Sequence, residues 1–365
     1  MVFDELLNKD ALSVQDIVFL LQCKGDEEKK LFAKSESVKK RHVDNIVYLR
    51  GLIEFSNLCR KDCNYCGIRK SNLNIDRFNL TDNDILQAAE FAFKNRFGSI
   101  VLQSGEIQSL AFTKRVVKLL DKILKLSNGQ LRITLSCGEQ SRDTFRQWLE
   151  HGATRYLLRI ETSNEDLYYK IHPHDKFHSF EERVEALNNL KLLGYQTGTG
   201  VMIGLPYQTY EDLANDLLWI KKMDVDMVGM GPYLEHSGTP LYKFKSNLMP
   251  QTERFQLSLK MIAILRIIMK DINIASATSL QAIDKMGREK AIKIGANVLM
   301  PNITPGMYRN SYKLYDNKPC TDENPEDCKS CLEWRVSITN NIIAYGGYGD
   351  SQHHSHKRGS TLRKI

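Results

Sequence analysis

A chain of 365 residues is long enough for one large barrel domain or two ordinary ones. Its 42% hydrophobic and 26% charged content are those of a soluble globular protein, which excludes a fibrous or disordered chain. No apolar run reaches membrane-spanning length. Residues 1–7 lack the basic-then-apolar pattern of a secretory signal, so cytoplasm, or a reducing organelle matrix, is the expected compartment. The formal charge of +7 comes from 51 Lys and Arg against 44 Asp and Glu, with much of the excess near the ends.

Residues 13–22 and 26–41 read as helices ahead of the main domain. Ser13 supplies a cap to the first. The second begins acidic and ends basic, as the helix dipole favours.

Next comes the most informative run, Phe55-Ser-Asn-Leu-Cys-Arg-Lys-Asp-Cys-Asn-Tyr-Cys-Gly67. Cys59, Cys63 and Cys66 put three thiols into eight residues with C-x3-C-x2-C spacing. Iron–sulfur clusters normally take four cysteines, and structural zinc closes its tetrahedron with four protein ligands. Three cysteines hold three irons of a cubane and leave the fourth open. Radical SAM enzymes carry the same spacing, and in them S-adenosylmethionine (SAM) fills that position. Tyr65, inside the loop, offers a flat face to an adenine ring or simply packs the loop.

From residue 46 onward, short apolar runs alternate with helical patterns. Strands are expected at 46–55, 99–103, 132–136, 155–160, 196–203, 227–230, 272–277 and 297–300. Helices are expected at 82–94, 113–126, 141–151, 180–193, 210–223, 253–269 and 280–294. Eight strands joined by helices predict an α/β fold with a parallel sheet, closed as a complete (β/α)8 TIM-type barrel. An open doubly wound sheet is the competing arrangement. Polar clusters follow the strands: Gln103 to Glu106, Ser136, Arg159 with Glu161, Gly204 to Gln208, Ser276 with Thr278, and Asn302. In such barrels the reactive groups sit at the strands' C-terminal ends.

Arg159 and Glu161 share one strand face by the two-residue period, as a binding pair or an internal salt bridge. Arg183 is suited to fork onto a carboxylate, although alone it reads as a solvated helix residue. Gly198 and Gly200 lack the setting of a dinucleotide motif; they make room for a ligand or a neighbouring backbone. Cys23 and Cys137 read as small buried apolar residues. A second cysteine group, Cys320, Cys328 and Cys331, is spaced C-x7-C-x2-C beyond the eighth strand. It is open to a second iron–sulfur cluster, to zinc or to no metal. The last fifteen residues hold four basic and no acidic side chains. They read as a solvated terminus rather than a nucleic-acid arm, with His353, His354 and His356 unassigned. The expected division is 1–45 N-terminal helices, 46–310 barrel, and 311–365 a C-terminal extension carrying the second cysteines.

Taken together, the chain resembles the radical SAM maturases of FeFe-hydrogenase known as HydE, from about residue 49 to 359. The resemblance is carried by Ile53-Glu-Phe-Ser-Asn-Leu-Cys-Arg-Lys, Val101-Leu-Gln-Ser-Gly-Glu106, Tyr156-Leu-Leu-Arg-Ile-Glu-Thr162, Gly194-Tyr-Gln-Thr-Gly198, Asp226-Met-Val-Gly-Met-Gly-Pro232 and Gly295-Ala-Asn-Val-Leu-Met-Pro-Asn302. It implies a 4Fe-4S cluster on Cys59, Cys63 and Cys66. It also implies SAM held by Gln103, Ser136, Glu161 and Arg183, with Tyr65 near its adenine. Arg159, Thr278 and Met300 match positions lining the internal cavity. Cys320, Cys328 and Cys331 match a variable second cluster site. Three departures stand out. Ile160 replaces a common histidine, Tyr207 a common glycine, and Ala277-Thr278-Ser279 a paired-threonine run, all expected near the cavity.

The resemblance further implies reductive cleavage of SAM to methionine and a 5′-deoxyadenosyl radical. That radical would act on a small cysteine-bound iron carbonyl cyanide unit during hydrogenase maturation. Implied partners are this organometallic substrate, sister maturases, and an electron donor such as ferredoxin or flavodoxin, with no membrane partner. The rivals are a biotin synthase or methylornithine synthase, against which the second cysteines and the maturase-like stretches argue, and a non-catalytic iron–sulfur carrier.

Overall fold

The computed structural model describes residues 3–319 and 327–362, without the side chains of 327–331 and 360–362. The described strands are β1 (Ile46–Ser56), β2 (Ser99–Ser104), β3 (Arg132–Ser136), β4 (Arg155–Leu157), β5 (Gln196–Thr199), β6 (Met202–Ile203), β7 (Met227–Pro232), β8 (Asn273–Ser276), β9 (Val298–Leu299) and β10 (Ile342–Ile343). Every pairing between them is parallel. The order β1-β2-β3-β4-β5-β7-β8-β9 returns on itself through β9–β1 pairing. An eight-stranded parallel barrel results, as expected, and the open sheet is excluded. β6 pairs with β7 beyond a break after β5, and β10 extends the start of β1. Strands covered on both faces read as continuous apolar runs, and β1 is buried from Leu49 to its end.

Helices begin where polar caps tell them to. Ser13, Thr81 and Thr209 each form a capping box with the acid three residues on, and Ser179 accepts from the Glu182 amide. Several expected elements are shorter or split, among them three with a clear local cause. The run at 155–160 stops at Leu157, because the Ile160 amide donates to Thr199 Oγ1 and Glu161 turns left-handed (φ 68°). The run at 196–203 breaks at Gly200, where a Cβ would lie 1.8 Å from the Gly229 carbonyl oxygen. The helix at 280–294 divides into Thr278–Ile283 and Gly287–Ile294, and a Cβ on Gly287 would meet the Leu280 carbonyl oxygen at 2.3 Å.

The N-terminal helices Val14–Gln22 and Asp26–Val43 pack outside the barrel against the helix Gln251–Ile268. The C-terminal residues are not the solvated terminus the composition suggests. Residues 348–351 lie across the barrel's N-terminal mouth: Arg50 Nη2 and Asn273 Nδ2 both donate to the Gly349 carbonyl (3.0 and 2.9 Å), and Arg155 pairs with Asp350 at 2.5 Å. The helix Gln352–Leu362 then docks. His353 bonds Asp271 and Asp224 (3.0 and 2.6 Å), His356 bonds Asp271 (2.9 Å), and Lys357 pairs with Asp226 (2.7 Å). Carboxylates elsewhere in the fold supply the complement to a locally basic tail. No described helix is long and apolar enough to cross a membrane.

Candidate active site

A cavity of about 400 Å³ opens at the C-terminal ends of the strands. Cys59, Cys63, Tyr65, Cys66, Gln103, Ser136, Arg159, Glu161, Arg183, Thr278 and Met300 all border it. Strand register explains part of this convergence. Glu54 of β1 pairs with Gln103 of β2, and Gln103 with Ser136 of β3, so three polar side chains from distant sequence positions stand abreast at one level.

The cysteine loop leaves β1 and is pinned by its own backbone. Arg77 donates to the carbonyls of Asn57 and Ile68 (each 2.8 Å), Arg69 (2.5 Å) and Asn72 (3.1 Å), so one guanidinium gathers both ends of the loop. Gly105 lets the loop press on the β2 terminus; a Cβ there would sit 2.3 Å from the Leu58 carbonyl oxygen and 2.8 Å from Cys59 Cβ. The Glu106 amide donates to Cys59 Sγ at 3.3 Å. Burial pushes all three thiols up, Cys63 to about 12 with the neighbouring Cys59 adding to it. Without metal the three would stay neutral thiols; as thiolates they need the positive charge of bound iron to offset their burial. Among the described residues no His, Cys, Asp and Glu group converges tightly enough to hold one metal ion. A cubane takes each thiolate on a different iron and needs a wider triangle. Cys23 and Cys137 are buried elsewhere, as expected, so the described residues offer the triad no fourth cysteine. The donor set fits a cluster with one open corner.

Tyr65 closes one side. Burial keeps His172 neutral, its Nδ1 donates to the Tyr168 carbonyl (2.9 Å), and its Nε2 accepts from the Tyr65 hydroxyl at 3.1 Å. Arg159 and Glu161 form the expected ion pair, although both lie past the end of β4, at Leu157, and share no strand face. Asp216 holds the adjoining turn, accepting from the Ser163 amide and hydroxyl at 2.6 Å each. Arg183 is buried, contrary to the solvated-helix reading. Its Nη1 donates to the Arg159 carbonyl (2.6 Å) and its Nε pairs with Glu139.

Two buried acids, Glu139 and Glu54, escaped the sequence reading, which had reached Glu106 only as the end of a polar cluster. Glu139 also accepts from Lys61 Nζ at 2.7 Å, and Glu106 Oε1 accepts from Arg60 Nε at 2.9 Å. Burial would raise the Glu139 carboxyl, but Arg183 and Lys61 outweigh it and hold it low. Burial and the Glu139 charge push Glu106 up instead. At the far side Glu54 pairs with Lys318 and accepts from Asn302 Nδ2 (3.0 Å). The usable signal for Glu139 was its place just after β3, the same rule that singled out Ser136.

The departures sort differently from expectation. Ile160 is 0% exposed and packed in the core, outside the cavity lining. Tyr207 is 57% exposed, with its ring against Phe244, and its φ of 68° shows why glycine suits that position. Only Ala277, Thr278 and Ser279 border the cavity, where Thr278 Oγ1 lies 3.0 Å from the Tyr315 hydroxyl. Cys320 lies outside the described residues. Cys328 and Cys331 fall on the helix Asp327–Ser337, but their side chains are likewise outside the description.

Residues 53–220 match the family model of the radical SAM superfamily. The fold and the cysteine-lined cavity thus define a radical SAM enzyme. The chain is 41% identical over 330 residues to the FeFe hydrogenase maturase subunit HydE of Thermotoga maritima, covering 90% of this chain and 89% of that one. It belongs to the HydE-type hydrogenase maturases. It is also 28% identical over 333 residues to 3-methylornithine synthase of Methanosarcina acetivorans, covering 90% of each. Among solved structures, methylornithine synthase (PylB) superposes with a TM-score of 0.78 at 25% identity, over 95% of this chain and 98% of the other.

Proposed function

We propose that this maturase binds SAM against the open corner of a 4Fe-4S cluster on Cys59, Cys63 and Cys66, and turns the resulting radical on a small cysteine-bound iron carbonyl cyanide unit. The observation that carries the reading is one cavity bordered at once by three cysteines and by the Gln103, Ser136, Glu161 and Arg183 set. When bound, the cluster supplies the electron that splits the sulfonium of SAM into methionine and a 5′-deoxyadenosyl radical. The protein's own residues orient and exclude water. Glu161 and Arg183 present opposite charges to the amino and carboxylate ends of SAM, and Tyr65 offers its ring to the adenine. Arg159, Thr278 and Met300 line the substrate's share of the cavity, where Thr278 can donate to a cyanide nitrogen or a carboxylate. An external one-electron donor of the ferredoxin or flavodoxin type and the sister maturases are the expected partners. A second cluster on Cys320, Cys328 and Cys331 is a further element of this reading.

The test is infrared spectroscopy of the iron-bound CO and CN stretches of such a precursor, mixed with reconstituted enzyme, SAM and dithionite. The bands should shift only when SAM and the intact triad are both present. Bands that stay fixed while SAM is cleaved would remove this substrate and leave the radical chemistry standing.

A further inference from the structure

We infer that Glu139 is a positioning residue that ties the cysteine loop to Arg183, so that the cluster and the SAM-binding guanidinium share one mount. This rests on the SAM reading of the cavity and deepens it. The carboxylate has two oxygens and divides them. Oε2 accepts from Lys61 Nζ at 2.7 Å, and Oε1 pairs with Arg183 Nε. Lys61 lies between Cys59 and Cys63 in the loop itself, while Arg183 belongs to a separate element, the helix Phe180–Leu193. All three side chains are buried, with 3%, 5% and 8% exposure for Lys61, Glu139 and Arg183.

Three features set this apart from an ordinary internal salt bridge. First, the link is between elements that would touch different parts of one cofactor assembly, not between neighbours on one element. Second, Arg183 is held at two nitrogens, since Nη1 also donates to the Arg159 carbonyl at 2.6 Å. Only Nη2 has no hydrogen bond within the described residues, and the residue borders the cavity, so a fixed fork keeps a free donor for a ligand carboxylate. Third, Glu139 is itself placed by its neighbours. Its amide donates to Glu106 Oε2 at 2.8 Å, and Glu106 in turn pairs with Arg60 of the same cysteine loop. The result is a closed ring from Arg60 of the loop to Glu106 at the β2 terminus, to Glu139 after β3, and back to the loop through Lys61, with Arg183 of the helix held as a branch from Glu139. A buried guanidinium that loses its carboxylate does not stay in place; it seeks another, and Glu161 and Glu106 are the nearby alternatives.

The experiment titrates SAM into anaerobically reconstituted, dithionite-reduced protein and follows the change in the cluster's electron paramagnetic resonance spectrum, with iron measured on the same samples. Glu139→Gln should keep its iron yet bind SAM about tenfold more weakly or worse, and Glu139→Asp should recover part of the affinity. In a double-mutant cycle Glu139→Gln and Arg183→Lys should be strongly non-additive, because one acts through the other. Wild-type SAM affinity in Glu139→Gln would overturn the inference, as would losses that simply multiply in the double variant. Iron lost from Glu139→Gln but retained in Arg183→Lys would also overturn it, assigning the carboxylate to loop folding alone. If the wild-type spectrum does not respond to SAM, the SAM reading itself fails, which is a distinguishable result.

Discussion

Arg159 and Glu161 meet at two points on the cavity wall: Arg159 Nε lies 3.0 Å from both carboxylate oxygens, and Nη2 lies 2.9 Å from Oε2. Both side chains line the cavity, so the pair sets an acid and an arginine side by side on its wall. On the proposed SAM reading, Glu161→Ala removes a contact to SAM and leaves Arg159 without its carboxylate. We expect SAM affinity to fall about tenfold or more, roughly 1.4 kcal/mol. Glu161→Gln, which keeps the shape but not the charge, should fall between the two. Calorimetric titration of SAM into the reconstituted protein measures both.

Gly105 sets how closely the cysteine loop can approach the end of β2. A methyl group there meets the Leu58 carbonyl at 2.3 Å, and backbone cannot give way as a flexible side chain can. Gly105→Ala should therefore displace Cys59 and cost about 1–3 kcal/mol of stability. Iron analysis after reconstitution should show an underloaded cluster, while far-ultraviolet circular dichroism stays that of a folded barrel.

Tyr207, at a position where the resemblance implies glycine, does not touch the cavity. Tyr207→Gly relieves a left-handed backbone, worth about 1 kcal/mol, and gives up an exposed ring contact and the Lys170 cation over it, worth about 0.5–1 kcal/mol. The terms nearly cancel. Melting temperature should move by only a few degrees, and 5′-deoxyadenosine yield should be unchanged; a changed yield would mean that the loop reaches the substrate.

Docking of the C-terminal helix should depend on pH. Hydrogen bonding to Asp271, then to Asp224, raises His353 above its ordinary value, so its contribution is complete below about pH 6.5 and is lost as pH climbs through the raised value. Burial would raise Asp271, but His353 and His356 hold it well below the usual carboxylate range. Its contribution is present above about pH 4 and lost only in strong acid. The aspartates at 224 and 226 and Lys357 share the same face. Protection of amides 352–362, taken as the exchange rate relative to the intrinsic rate at each pH, should be high near pH 6 and lower near pH 8.5. His353→Ala should flatten that difference.

What the sequence could reveal follows from the range of each interaction. The cysteine triad, the cap at Ser13, and the alternation of strand and helix are local, and each was legible. Arg159 and Glu161 lie two residues apart, so their pairing was also within reach, though the left-handed turn that delivers Glu161 was not. The role of Arg183 could not be read from its own neighbours, because the carboxylate that buries it sits 44 residues earlier. The C-terminal helix misled for the same reason. Its charge looked unanswered until the fold brought Asp224, Asp226 and Asp271 beneath it.

The central claim is that the cavity at the cysteine triad cleaves SAM. The most direct measurement is 5′-deoxyadenosine formed by anaerobically reconstituted protein with dithionite and SAM, compared with Cys63→Ala. The account predicts nucleoside from the wild type and none from the variant. Nucleoside from Cys63→Ala would contradict the cluster assignment, and a reduced, fully loaded wild type that releases none even with the organometallic precursor present would contradict the catalytic reading in favour of an iron–sulfur carrier.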